Sequence, residues 1–309
     1  GPFNIKSSNL RNAKILKGYA AVFVCFSTRA VHLKTCSDLS TDAFLACFDR
    51  FTGRRGLPKT MYSDNGRNFL GASYVLLKEH NEFLKSAEKA LVKKYSSYGF
   101  TWSFIPPYAP HMGGLWEAAV KSMKSHLKKI TSHLSFTFED FTTLLVRIEA
   151  VLNSRPLSPI TENPNEVIPL TPGHLLRGAP IIASPEAPAE PPLKDLCFIK
   201  RWERLKALQH IFAKRWKNEY ITELQRRYKW KKERDNLKPN DIVIIKDDML
   251  PPTEWRLGRV INVVYGSDNK VRVADVLTQH GTLRRSVVKL CLLPTANPTK
   301  KSTALKSTQ

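Results

Sequence analysis

Short β-rich runs alternate with stretches of helical period through the first half of the chain, and this order restricts its fold more than any other feature. Residues 18–37, GYAAVFVCFSTRAVHLKTCS, form two apolar runs broken at Ser27, Thr28 and Arg29, the pattern of a hairpin. Ser40 is placed to cap a helix on which Ala43, Phe44, Cys47, Phe48 and Phe51 share a face, with Gly53 near its stop. KTMYSD (59–64) reads as a short strand and 69–95 as a long amphipathic helix or helix pair. FTWSFIPP (100–107) is another strand, ended by Pro106-Pro107, and two helical stretches follow at 113–131 and 137–153. The first fifteen residues read as an opening loop. An α/β order with an antiparallel opening predicts a mixed sheet covered by helices.

The rear of the chain changes character. A Pro-rich stretch, IIASPEAPAEPPLKD (181–195), marks a linker. Residues 199–234 read as one long basic helix, with twelve Lys or Arg against four Glu between 201 and 234. On it Trp202, Leu205, Leu208, Ile211, Phe212, Trp216, Tyr220 and Leu224 form an apolar stripe, and such a stripe faces a core. From 237 to 294 four short alternating runs are split by Gly, Asn and Asp turns, the pattern of a small β-barrel. The expected segments are therefore a core over 1–180, a linker over 181–198, a basic helix over 199–236, a barrel over 237–294 and a disordered tail over 295–309.

Charge narrows the partner. The chain has 49 Lys and Arg against 27 Asp and Glu, a formal net charge of +22. Such a surplus points to a polyanion, because neutralising phosphates and releasing their counterions drives binding. No apolar run approaches the roughly 18 residues of a membrane span. Five widely spaced cysteines without a C-x-x-C pair predict reduced, mostly buried thiols in an intracellular protein. His32, inside a strand pattern, reads as a packed core histidine, and Asp38 as a loop acid.

Two carboxylates stand at the ends of rigid elements. Asp64 closes a strand, and Glu117 opens a helix after a Pro/Gly-rich loop in PPYAPHMGGLWEAAVKSMKSHLKK. Mg²⁺ takes hard oxygen ligands and is held by one or two carboxylates plus substrate phosphate. Two such ions about 3.5–4 Å apart can activate a hydroxyl and stabilise a leaving oxygen. Lys121, Lys124 and Lys128 follow Glu117 at i+4, i+7 and i+11, so all lie on its side of the helix and could grip a phosphate backbone. Plainer readings exist for each: Asp64 before Asn-Gly suits a turn acid, Glu117 a helix-start acid, and the lysines a solvated face. Asn65 and His111 flank the two carboxylates as candidate DNA contacts, His111 as a loop residue shaping the site. In the rear half the candidates are Lys214 and Arg215, with Lys217, Arg226 and Arg227, on the helix, and Arg256, Arg259, Arg284 and Arg285 on the barrel.

TMYSDNGRNFLGA, PPYAPHMGGLWEAAVKSMK and VLNSRPLSPI…LTPGHLLRG resemble the integrase core of BEL/Pao-type long-terminal-repeat retrotransposons. IFAKRWKNEYITELQRRYKW and NDIVIIKDDMLPPTEWRLGRVINVVYG resemble the segment that follows that core. The resemblance implies an RNase H-like mixed sheet flanked by helices, then a basic helical segment and a small SH3-like β-barrel. It implies Mg²⁺- or Mn²⁺-dependent strand transfer joining element 3′ ends to target DNA. In the family, the Asp of S-D-N-G and the Glu of G-G-L-W-E are the second and third members of a metal triad, which assigns those roles to Asp64 and Glu117. Lys121 and Lys124 match the lysines that touch the element's DNA end. Double-stranded DNA, further copies of the chain, and a nuclear site of action with a cytoplasmic particle beforehand follow from the same resemblance.

Two departures stand beside it. Fifty-two residues, 65–116, separate Asp64 from Glu117, longer than the spacing typical of retroviral integrases. No Asp or Glu precedes Asp38, so the family's first Asp and its strand are expected upstream of Gly1, and the zinc-binding N-terminal module is expected to be absent from these 309 residues. With two carboxylates in place of three, strand transfer by this chain alone is expected to be severely impaired. The alternative is a DNA-binding, catalytically inactive copy; an RNase H-like nuclease without strand transfer is the third possibility.

Overall fold

A computed structural model of the chain describes residues 2–10, 12–86, 100–105, 114–160, 168–183, 195–196, 200–225, 236–247 and 249–293, without the side chains of 83–86, 114–120 and 122. Pro106-Pro107, His111, most of the Pro-rich stretch, Cys197, Arg226, Arg227, the tail and the Glu117 side chain lie outside the described residues. The chain divides into two compact units, Gly1–Glu149 with Pro191–Phe212, and Ala150–Glu190 with Ala213–Gln309. This division differs from the segments expected from composition, since residues 150–190 group with the barrel region.

In the first unit the expected opening loop instead holds strand β1 (Phe3–Lys6), with Phe3 and Ile5 buried and Asn4 exposed. Four residues are too few for an alternating pattern to stand out. The strand is set by its partners, β2 (Ile15–Val24) antiparallel and, far along the chain, β6 (Phe136–Thr137) parallel. The hairpin forms as expected: β2 turns into β3 (Val31–Cys36), with Arg29 at φ 57° and its N–H on the Cys25 carbonyl at 2.9 Å. Helix α1 (Thr41–Arg55) is capped by Ser40, whose Oγ accepts from the Ala43 N–H at 3.1 Å. It runs through Gly53 and stops at Gly56, which takes φ +80°.

Strand β4 (Thr60–Ser63), helix α2 (Arg67–Ser86) and strand β5 (Thr101–Phe104) follow, then helices α3 (Gly114–Thr131) and α4 (Phe138–Asn153) on either side of β6. The mixed sheet flanked by helices is present, in the order β3-β2-β1-β6, and β4 and β5 form a separate parallel pair. Phe44, Phe48, Ala72 and Trp102 form a core cluster joined by Phe23, Phe51, Phe69, Phe100 and Phe104. The aromatic residues read as a helix face on α1 thus pack against both strand pairs.

Strand β3 is an edge strand, and its unpaired backbone groups are closed by helices instead of left open. The Leu33 N–H donates to Glu149 Oε2 of α4 at 2.9 Å, and the Thr35 carbonyl accepts from Arg50 of α1 at 3.1 Å. Glu149 also receives His32 Nδ1 at 3.0 Å and Arg55 at 2.8 Å. His32 is a packed core histidine, its ring against Phe23 and Phe51.

The second unit holds short strands β7 (Ser158–Pro159) and β8 (Pro169–Leu170), helix α5 (Pro172–Arg177) and the second half of helix α6 (Arg201–Gln225). Its sheet is antiparallel, in the order β12-β11-β10-β9-β13. Five strands replace the four expected runs: β9 (Ile242–Ile245), β10 (Arg256–Tyr265), β11 (Val271–Thr278), β12 (Gly281–Ser286) and β13 (Leu290–Leu292). The last run is cut in two by a 3₁₀ turn at Val287–Lys289.

Strand β9 reads Ile-Val-Ile-Ile and is buried throughout, because both of its faces are covered. Val243 and Ile245 join Val260, Ala274, Val276 and Leu290. Ile242 and Ile244 meet Leu257, Cys291, Leu293 and Ile221 of α6. The stripe on α6 does face cores: Leu205, Leu208 and Phe212 are buried in the first unit and Trp216 in the second, while Trp202 stays exposed with Arg147 over its ring.

At Gly258 on β10 the neighbouring strand β11 leaves no room for a side chain. A β-carbon there would lie 2.8 Å from the Leu277 carbonyl oxygen of β11 and would overlap the Val276 side chain. Gly258→Ala is expected to destabilise the second unit by about 1–3 kcal/mol, since a sheet carbonyl cannot step aside. Denaturant unfolding checks this, and an unchanged midpoint would show that the strands can separate freely.

Candidate functional site

The corner after β4 is built from side chains that brace one another. Ser63 is buried; its Oγ accepts from the Trp102 indole N–H of β5 at 2.9 Å and donates to the Asp64 carbonyl at 2.9 Å. The Ile105 N–H bonds the Ser63 carbonyl at 3.0 Å, and Asn65 Nδ2 donates to the Ile105 carbonyl at 2.8 Å. The C-terminal ends of the parallel strands β4 and β5 are therefore tied together. This is the end of an α/β sheet at which ligands bind.

Asp64 is exposed at this corner. Its Oδ1 accepts from the Gly66 N–H at 3.0 Å, the arrangement of an Asx-turn, and the Gly66 carbonyl then receives the Leu70 N–H at 3.0 Å as α2 begins. A β-carbon at Gly66 would sit 3.1 Å from that same Oδ1 and crowd it. Ser63 and Trp102 were not among the sequence candidates. The signal for Ser63 was its place beside Asp64; Trp102 carried none, since its hydrogen bond comes from the β4–β5 pairing.

The Glu117 backbone lies in the first turn of α3. Along the same helix Met123, Leu127 and Ile130 are buried, whereas Lys121, Lys124 and Lys128 are exposed. The three lysines share the outward face, as their spacing implies. Among the described residues, no three His, Cys, Asp or Glu side chains come together as a metal-holding group. No described helix is long and apolar enough to cross a membrane.

The second-unit candidates differ from one another. Lys214 is exposed and Arg215 half-buried on α6. Lys217 donates to the carbonyls of Pro251 at 2.9 Å and Glu254 at 2.8 Å and lies over the Trp255 ring. Arg256 pairs with Asp247 at 2.6 Å, and Arg259 reaches the Asn240 carbonyl at 3.4 Å. Arg284 forms two bonds to Asp275 across the β11–β12 register, at 2.6 and 3.0 Å, which holds the Asp275 carboxyl below its usual range. Arg284 and Arg256 are thus paired with carboxylates within the fold, and Arg285 donates to the Arg284 carbonyl at 3.0 Å.

Residues 200–293 match a family described as a family of unknown function, DUF5641. No curated protein matches the chain. Among solved structures, the chain is similar to one in the cryoEM structure of the simian T-cell lymphotropic virus intasome in complex with PP2A regulatory subunit B56 gamma, at 12% identity and a TM-score of 0.35, covering 95% of this chain and 77% of that one.

Proposed function

We propose that the chain is the catalytic core and C-terminal region of a BEL/Pao-type retrotransposon integrase, acting on double-stranded DNA ends and target DNA. The observation that supports this most is the exposed Asp64 carboxylate on a corner braced by Ser63, Trp102, Asn65 and Ile105. A metal ligand needs such a base, because its position must not drift when the ion and phosphate bind. Asp64 offers hard oxygens of the kind Mg²⁺ or Mn²⁺ takes, and Glu117 is the second ligand. The ion, when bound, polarises the phosphate and lowers the barrier to in-line displacement.

The protein's own side chains do the remaining work. Lys121, Lys124 and Lys128 hold the phosphate backbone, and Asn65, bonded to Ile105, keeps the corner closed. Lys214, Arg215 and Arg259 of the second unit offer further cationic contacts, and several copies assemble on the DNA. A DNA-binding protein without chemistry is the second reading, favoured by one observation: Asp64 Oδ1 already serves the Gly66 amide, as in an ordinary turn.

Both readings require DNA affinity that falls with salt. Replacing Lys121, Lys124 or Lys128 by Gln is expected to reduce the slope of log K against log salt by about 0.9 each. Fluorescence anisotropy with duplex DNA measures it. A slope near zero for the intact chain would remove both readings, and unchanged slopes in the variants would move the DNA off helix α3.

A further inference from the structure

Two aromatic rings meet at the surface beside the Asp64 corner. Phe26 stands on the turn between β2 and β3 and Tyr62 on β4, with ring centroids 5.2 Å apart and planes tilted by 36°. The two residues are 40% and 46% exposed. Strand alternation explains the side on which Tyr62 stands. Met61 packs on the aromatic core and Ser63 is buried, so Thr60 and Tyr62 face outward, and the chain leaves the strand at exposed Asp64. At about 3.3 Å of rise per residue, Tyr62 lies roughly 6.6 Å along the chain from Asp64, on the outward side that both share.

Phe26 is carried by a closed turn. The Cys25 N–H donates to the Ala30 carbonyl at 2.9 Å, the Arg29 N–H to the Cys25 carbonyl at 2.9 Å, and the Ala30 N–H to Thr28 Oγ1 at 3.2 Å. Exposed Arg29 adds positive charge on the same turn. A single exposed aromatic residue is ordinary. Here two distant elements bring their rings together, on a strand whose other outward residues are Thr60 and Asp64, and leave almost half of each residue in water. Every nucleobase has a flat face that can lie on such rings, and stacking of this kind holds unpaired strands. Bases inside a duplex have no free face, so the rings select an open one.

We propose that Phe26 and Tyr62 form a stacking platform for an unpaired nucleobase at the end of a DNA duplex, holding that end beside Asp64. This rests on the reading of the chain as an integrase acting at DNA ends, and it names a part of the substrate gripped besides the backbone. The lysines of α3 hold phosphates whether or not the bases are paired, whereas the rings require an open base.

The test is the fluorescence of 2-aminopurine, placed either in an unpaired overhang or inside a duplex, during titration with the full chain. Binding is expected to quench the unpaired probe and to leave the internal probe nearly unchanged. Phe26→Ala and Tyr62→Ala should each remove most of that quenching and weaken binding to overhang DNA by roughly tenfold. Phe26→Tyr and Tyr62→Phe, which keep a ring, should retain both. Neither ring belongs to the core cluster around Trp102, so the alanine variants should keep the native thermal midpoint and the native affinity and salt slope on blunt duplex. Equal quenching of the two probes, or alanine variants that bind overhang DNA like the native chain, would overturn the platform and leave the lysine contacts of α3 in force. A native chain that bound no DNA of either kind would remove the integrase reading and the platform with it.

Discussion

Glu149→Ala is expected to destabilise the first unit by about 3–5 kcal/mol, the cost of removing one partner from a buried charged network. The loss has three parts. The Leu33 N–H loses its Glu149 acceptor at the sheet edge, His32 loses its carboxylate, and Arg55 loses its counter-charge. Denaturant unfolding measures the total, and hydrogen exchange at the Leu33 amide reports the edge directly, since that proton should exchange much faster in the variant. Glu149→Gln keeps an acceptor for Leu33 and should lose less.

The same residue sets a pH dependence. Burial alone would raise the Glu149 pKa, but the His32 and Leu33 hydrogen bonds and the Arg55 charge outweigh it and hold the carboxyl below its ordinary value. A depressed carboxylate pKa contributes stability that is fully present above the unfolded value, about 4.3, and lost as pH falls through the folded value. The gap between the native chain and Glu149→Ala should therefore be constant near neutrality and narrow below about pH 4. A gap that did not change with acidity would show that the carboxylate contributes shape and not charge.

In a version extended upstream to carry the family's first Asp, Asp64→Asn is expected to lower Mg²⁺-dependent strand transfer by about 100-fold or more, since even residues behind a metal ligand cost 10–100-fold. It should do so without unfolding anything. The Asn side-chain oxygen can still accept the Gly66 N–H, and the bonds from Trp102, Asn65 and Ile105 do not use the Asp64 carboxylate. The thermal midpoint and the salt dependence of DNA binding should match the native chain. Equal strand transfer by the variant, measured on a chain that shows the activity, would reduce Asp64 to the turn acid that its hydrogen bond to Gly66 already makes it.

Much of the local structure was legible in the residues because its signals are short-ranged. The Ser40 cap, the Ser27–Arg29 turn, the four core helices and the stripe on α6 each depend on neighbours within about one or two turns of chain. Strand β1 was not legible, because Phe3 and Ile5 gain their meaning only from Gly18, Leu16 and Phe136. The end of α1 was marked only as near Gly53, because two glycines stand close together and only Gly56 takes a positive φ that stops the helix.

The candidate site divides in the same way. Asp64 on a tight corner, and three lysines on one helix face, were readable from spacing alone. That Ser63 and Trp102 hold the corner was not, since 39 positions separate them. The arginines show the clearest contrast. Composition established an excess of positive charge, which points to a polyanionic partner, but it could not show which cations are engaged elsewhere. Strand register alone set Arg284 opposite Asp275, and the approach of the β9 and β10 ends set Arg256 beside Asp247. Likewise Glu149 is one acid among many in the sequence, and only folding carries it 116 positions to the Leu33 amide. Helix periods, caps and net charge are properties of neighbouring residues, so the sequence alone determined them. Edge closure and cross-strand pairing are properties of residues far apart in the chain, and only the tertiary structure decided them.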